Sequence, residues 1–187
     1  MTYGTLPGDY PASSKWLHWL VAICVLTTAV VAVTMVNLVP EGPTQDKLFV
    51  FHKSLGVLIL ILMVLRLINR LVVGAPAPDP TIEPWQRKAS SAVHGSLYVL
   101  LFAMAIVGLI GHSLFGAATP FFGLFEIPPF TPKNEELSDA LFVVHSWVGF
   151  LVIVLVLLHI GAALYHALVL HDGVIYRMLP RAFGGKV

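Results

Sequence analysis

Charge is scarce in this chain. Only 11% of its 187 residues are Asp, Glu, Lys or Arg, and the formal net charge is +1, against about 25% charged residues in an ordinary soluble domain. A chain this close to neutral has no basic stripe to follow a phosphate backbone, which excludes nucleic-acid binding as a reading. Cysteine is scarcer still. Cys24 stands alone, so there is no intrachain disulfide, no CxxCH attachment motif and no iron–sulfur cluster ligated by this chain by itself. The P-loop, the dinucleotide-binding glycine pattern, HExxH and the nucleophile elbow are all missing. No internal repeat is visible beyond a loose echo between FHKSLG at His52 and VHSWVG at His145.

What is present is apolar length. Hydrophobic residues make up 57% of the chain and the mean hydropathy is +0.85. The sequence predicts one integral membrane domain over 1–187, an all-α, transmembrane four-helix bundle with helices over about 14–38, 45–73, 91–115 and 137–171, the third starting as early as Trp85. Each is long enough for a hydrocarbon core of about 30 Å at about 1.5 Å per residue. Ser13 and Ser14 are expected N-caps of the first helix, and Pro40, Gly42 and Pro43 end it. The run Trp16 to Val39 is longer than a signal h-region and reads as a retained span. GAPAPDP after Val73 reads as an extended linker. The stretch 116–134 is apolar but broken by four prolines, so it belongs at the interface, with a short helix around Phe121 to Phe125. Arg66, Arg70, Arg87, Lys88, Arg177, Arg181 and Lys186 fall on one side of the bundle. The other side is mixed and acidic on balance, with Glu41, Asp46, Glu126, Glu135, Glu136 and Asp139 against Lys47, Lys53 and Lys133. The positive-inside rule therefore puts both termini of this multi-pass chain in the cytoplasm.

Histidines recur in these helices. One inside a bilayer is costly unless it is paired or ligated, so each is a functional candidate. His52 and His145 each enter a helix that starts on the outer side, and each is followed four residues later by glycine, Gly56 and Gly149. A glycine one turn away leaves room for a flat macrocycle against the backbone. This pair is the strongest bis-histidine candidate; the alternative is a pair of hydrogen-bonded interfacial histidines. His18 enters from the inner side, and its partner is His159, His166 or His94. His159 follows His145 by fourteen residues, about four turns less 40° and about 21 Å of rise, so the two share a face. Spacing favours His159. The inferred cofactor is haem b, two per chain, held non-covalently by two neutral imidazoles on each iron. Such iron has no open position, which favours electron transfer over oxygen binding.

Arg66 follows His52 by the same fourteen residues. It reads as a clamp for a haem propionate, with a snorkelling role as the alternative. His94 is left between the inner haem, a quinone and a structural contact. His112 reads as interfacial and His171 as solvent-facing. A zinc site would need its ligands close together on one side of the membrane, whereas these histidines divide between two leaflets.

Taken together, KWLHWL at His18, FHKSLGVLILILMVLRLINR from His52 to Arg70, VHGSLYVLLF at His94, VHSWVGFLVIVLVLLHIGAALYH from His145 to His166, and YRMLPR near the end resemble the bacterial cytochrome b-561 family of di-haem inner-membrane proteins. The likeness runs from about Ser13 to Arg181. It implies His18 with His159 on the inner haem and His52 with His145 on the outer one. Within the family the superoxide oxidase activity is nearest. It implies superoxide, or another periplasmic donor, as the source of electrons and ubiquinone as their acceptor, with His166 at the quinone headgroup. Superoxide is an anion, and Lys53 beside His52 offers it a local positive path through an otherwise acidic outer surface. Two other readings stand beside this one. The chain is a haem-bearing anchor subunit of a larger dehydrogenase or hydrogenase, or it is a haem-free bundle whose histidines relay protons or pack.

Overall fold

The computed structural model describes residues 9–77 and 82–180. The end of the linker GAPAPDP, together with Arg181 and Lys186 of the expected basic tail, lies outside them. Four helices carry the fold: α1 Ala12–Asn37, α2 Pro43–Val73, α3 Pro84–Phe115 and α4 Glu135–Tyr165. All four are long and apolar enough to cross a membrane. α1 lies along α2, α3 along α4, and α2 against α3. Most large apolar side chains point outwards, Val30, Val36, Leu71, Val99, Phe150 and Leu157 among them. Helices that are apolar all round belong in lipid.

The helix ends follow from local chemistry. α1 starts one residue after Pro11, which makes no side-chain cap. The expected cap Ser14 instead accepts a hydrogen bond from Asn69 Nδ2 of α2 at 2.8 Å. α2 starts on Pro43, a residue whose missing N–H costs nothing at a first helical position. α3 starts at Pro84 with a reciprocal capping box between Glu83 and Gln86. It ends at Gly116, whose φ of 89° suits glycine. Asn134 caps α4 through Leu137 N at 3.0 Å.

Between α3 and α4 the expected interfacial helix is absent. Thr119–Phe121 (β1) and Phe125–Ile127 (β2) pair as an antiparallel hairpin, Phe121 opposite Phe125. Phe122 and Gly123 take positive φ at its tip, and Pro120 supplies no N–H for a helical turn. The hairpin is anchored on α2 by Ser54. This hydroxyl is wholly buried, accepts from Phe122 N at 3.0 Å and shares its one proton between Val50 O at 2.9 Å and Pro120 O at 3.1 Å.

A second difference lies at the end of α4. The α-helix stops at Tyr165, and His166–Leu170 form a π-helical turn in place of a continuous helix to 171. Val174–Arg177 (α5) then make a short 3-10 turn. The bundle therefore has two ends, one closed by the hairpin and one carrying the termini.

Candidate functional site

At the hairpin end, α2 presents His52 and α4 presents His145. Their ring centres are 6.1 Å apart and their planes meet at 77°. Both Nδ1 atoms are buried and have no hydrogen-bond partner among the described residues. An unpaired buried polar atom is costly, and native proteins keep few of them. His145 lies against Gly108 of α3; a Cβ there would sit 3.1 Å from its Cε1. Three residues on, Gly111 brings α3 equally close to Phe142, and its carbonyl accepts from the buried Ser138 hydroxyl at 2.9 Å. Small residues thus let α3 and α4 approach at this level. Gly56 has open space where a Cβ would be, while Gly149 faces Met104 Cε at 3.3 Å.

At the termini end, α1 presents His18 and α4 His159. Their ring centres are also 6.1 Å apart, with planes at 73°. His94 of α3 stands closer to His159, at 5.1 Å, and lies within 3.2 Å of the Ser90 hydroxyl. Arg66 joins this group. Its Nη1 donates to His18 Nδ1 at 2.9 Å and its Nε to the Tyr98 hydroxyl at 2.9 Å. Between the two levels, Val21, Val25, Ile59 and Met63 form the buried core, with Tyr98, Phe102 and Val156 packed against it.

Two imidazoles bound to one iron from opposite sides have ring centres about 6 Å apart: two metal–nitrogen bonds of about 2.0–2.1 Å, plus ~1 Å from each nitrogen to its ring centre. Both pairs meet that separation, and His94–His159 falls 1.0 Å short of it (6.1 against 5.1 Å). Among the described residues no group of three or more His, Cys, Asp or Glu comes together as a metal site. Each pair can supply two ligands, which suits an iron whose remaining ligands a macrocycle would supply. The residues fit haem.

The sequence pattern of the prokaryotic cytochrome b561 family matches residues 9–181. The chain belongs to that family. Its relatives include cytochrome b561 homolog 2 of Escherichia coli (strain K12), 31% identical over 182 residues, which cover 97% of each chain. Cytochrome b561 homolog 1 of the same organism is 29% identical over 89% of this chain and 94% of its own. A probable superoxide oxidase CybB of Yersinia pestis is 29% identical over 90% of this chain and 94% of its own. As a cytochrome b561 the chain is a bacterial membrane protein of electron transfer, and its family implies haem b.

The other candidates fall into two groups. Lys53 and His112 meet at the hairpin end. Lys53 Nζ lies 3.0 Å from His112 Nε2, and His112 Nδ1 lies 3.0 Å from the buried Thr119 hydroxyl. Lysine can only donate, so His112 Nε2 accepts and Nδ1 carries the proton. His166 lies at the termini end, where its Nδ1 is bonded to Asp172 Oδ2. His171 is exposed and turned to Val169 O. The sequence reading missed Gly108, Tyr98, Thr119 and Asp172. Of these, Asp172 alone left a trace, in the HALVLHDG run after α4.

Proposed function

We propose that this cytochrome b561 moves electrons across the bacterial inner membrane, from a periplasmic donor to ubiquinone, through two haem b groups. Superoxide is the candidate donor. One observation carries the reading: two histidine pairs at one separation, 6.1 Å, at opposite ends of one bundle. Orientation follows Arg66, Arg70, Arg87, Lys88 and Arg177, which put the termini end in the cytoplasm.

When bound, two b-type haems supply two one-electron carriers, one at each end. His52 and His145 would hold the outer one, His18 and His159 the inner. A His18 that gives its Nε2 lone pair to iron keeps its proton on Nδ1, which then donates rather than accepts. Arg66, which donates to that atom in this structure, would then turn its planar fork to a propionate. His94, packed on His159, orients that ring. Lys53 places one cation beside His52, where it attracts an anionic donor. His166 faces the quinone at the inner end.

The test is a pyridine haemochrome count on the purified chain. The wild type is expected to hold two b-type haems, and His52→Ala and His18→Ala one each. Two haems in either variant would break that assignment.

A second reading rests on the hairpin end, where six carboxylates face three lysines and one of those lysines, Lys133, is paired with Glu135 at 2.7 Å. An acidic face of that kind suits a docked soluble subunit, which would make the chain an electron-transfer anchor. Quinone reduction by the purified chain with superoxide alone would exclude it.

A further inference from the structure

An α-helix continued past Tyr165 would keep residues 166 and 172 apart. Six residues turn about 600° and rise about 9 Å, so the two side chains would point about 120° from each other. The structure brings them together by leaving the α-helix. The π-turn over His166–Leu170 widens the last turn, a form that recurs at functional sites. His171 then takes a left-handed φ of 54°, and Gly173 one of 82°. The chain doubles back, and Asp172 Oδ2 meets His166 Nδ1. The other oxygen, Oδ1, accepts from Val174 N at 3.1 Å. Backbone on one side and imidazole on the other leave the carboxylate no freedom. Both side chains are sheltered, at 14% and 19% exposure.

A carboxylate only accepts, so His166 Nδ1 carries the proton and Nε2 points away. Nε2 makes no hydrogen bond among the described residues. The His166 ring meets the Tyr165 ring edge-on, and Tyr165 closes a shallow groove of about 530 Å³ along α4, walled by Val154, Leu157, Leu158, Gly161 and Ala162. The groove is apolar, and His166 follows directly on Tyr165, the last residue of its lining.

We infer that Asp172 is a positioning residue: it fixes the tautomer and aim of His166 so that Nε2 delivers protons to a bound quinone. This rests on the reading of His166 as the quinone-facing histidine. Quinone reduction takes two electrons, supplied through the haems, and two protons. His166, doubly protonated, gives its Nε2 proton to a carbonyl oxygen. It returns to the neutral Nδ1–H form and takes a new proton from water at the termini end. Two such cycles complete the quinol. Asp172 balances the charge of the doubly protonated ring and keeps Nδ1 protonated throughout.

The experiment uses the holoprotein, its haems reduced with dithionite and then mixed with ubiquinone-1, with haem reoxidation followed by absorbance. Asp172→Asn is expected to lower the saturating rate at least tenfold, with the half-saturating quinone concentration changed less than twofold, and Asp172→Glu to restore part of the rate. In ¹⁵N-histidine NMR of the wild type, His166 is expected to be protonated on Nδ1. A rate within twofold of wild type in Asp172→Asn, where His166→Gln is slow, would overturn the inference and leave Asp172 as a turn cap. If His166→Gln is as fast as wild type, the quinone reading of His166 fails as well. Should Asp172→Asn lose its haem, the NMR result decides alone, and an Nε2-only tautomer overturns the proposal.

Discussion

The two ends of this bundle hold histidine pairs of equal separation in unequal surroundings. At the hairpin end both Nδ1 atoms are buried without partners among the described residues, the hairpin is anchored on Ser54, and Gly108 lets α3 press on His145. At the termini end Arg66, Tyr98 and His94 surround the pair with polar groups. Both ends offer a pair of histidines, so the difference between the ends is a difference of environment. Charge, hydrogen bonding and burial around a haem set its potential. An asymmetric setting of two like histidine pairs is what the proposed directional electron path needs.

Arg66 tests this contrast most severely. Its guanidinium donates to His18 of the termini-end pair. Once turned from His18 to a propionate, its hydrogen bonds to that charged group would be worth about 1.5–3 kcal/mol each, about tenfold or more in affinity. Arg66→Leu is therefore expected to weaken haem retention at the termini end at least tenfold while the hairpin-end haem stays. A redox titration that resolves two components in the wild type should find one in the variant. Equal loss from both ends would mean that the two sites are not independent.

The glycines give a smaller effect, confined to the other end. A Cβ at position 108 meets His145 Cε1 at 3.1 Å, whereas one at position 56 meets nothing within 4 Å. Gly108→Val is expected to displace His145 and lower hairpin-end haem content severalfold. Gly56→Ala adds only a Cβ that meets nothing within 4 Å, so it lowers haem content only where a macrocycle lies against that turn. Full haem in Gly56→Ala would place the macrocycle elsewhere.

These residues also mark how far the sequence could be read. The spans are legible because apolar runs of membrane length have one explanation, and charge asymmetry is spread over many residues. The pairing of His18 with His159 rests on helical periodicity, which fourteen residues preserve. Periodicity fails where the backbone leaves the helix. The contact from His166 to Asp172 needs a π-turn and two left-handed residues, none of which the spacing announces. The sequence suggests a short helix around Phe121 to Phe125 where the hairpin stands, because Phe-rich composition is silent on conformation and Phe122 at positive φ is not a residue that signals a turn. Gly108 was overlooked because close approach of two helices depends on their crossing point.

Lys53 gives the smallest expected effect and bears on the donor. It is half-buried beside His52, and its ammonium is held at 3.0 Å by His112, itself held by Thr119. That chain fixes one positive charge near the hairpin-end pair, where carboxylates outnumber lysines. A fixed cation speeds an anion's approach by attraction over about 8–10 Å at physiological salt, and the gain fades as salt rises. Lys53→Gln should slow haem reduction by superoxide several-fold at low ionic strength, with the gap closing towards 0.5 M salt (about 4 Å of screening length). Reduction by a neutral donor should stay unchanged. His112→Gln, which keeps the charge but frees the lysine, should fall between Lys53→Gln and wild type. If the two variants match wild type at low salt, Lys53 does not steer the donor, and the acidic face becomes the stronger guide to what docks at this end.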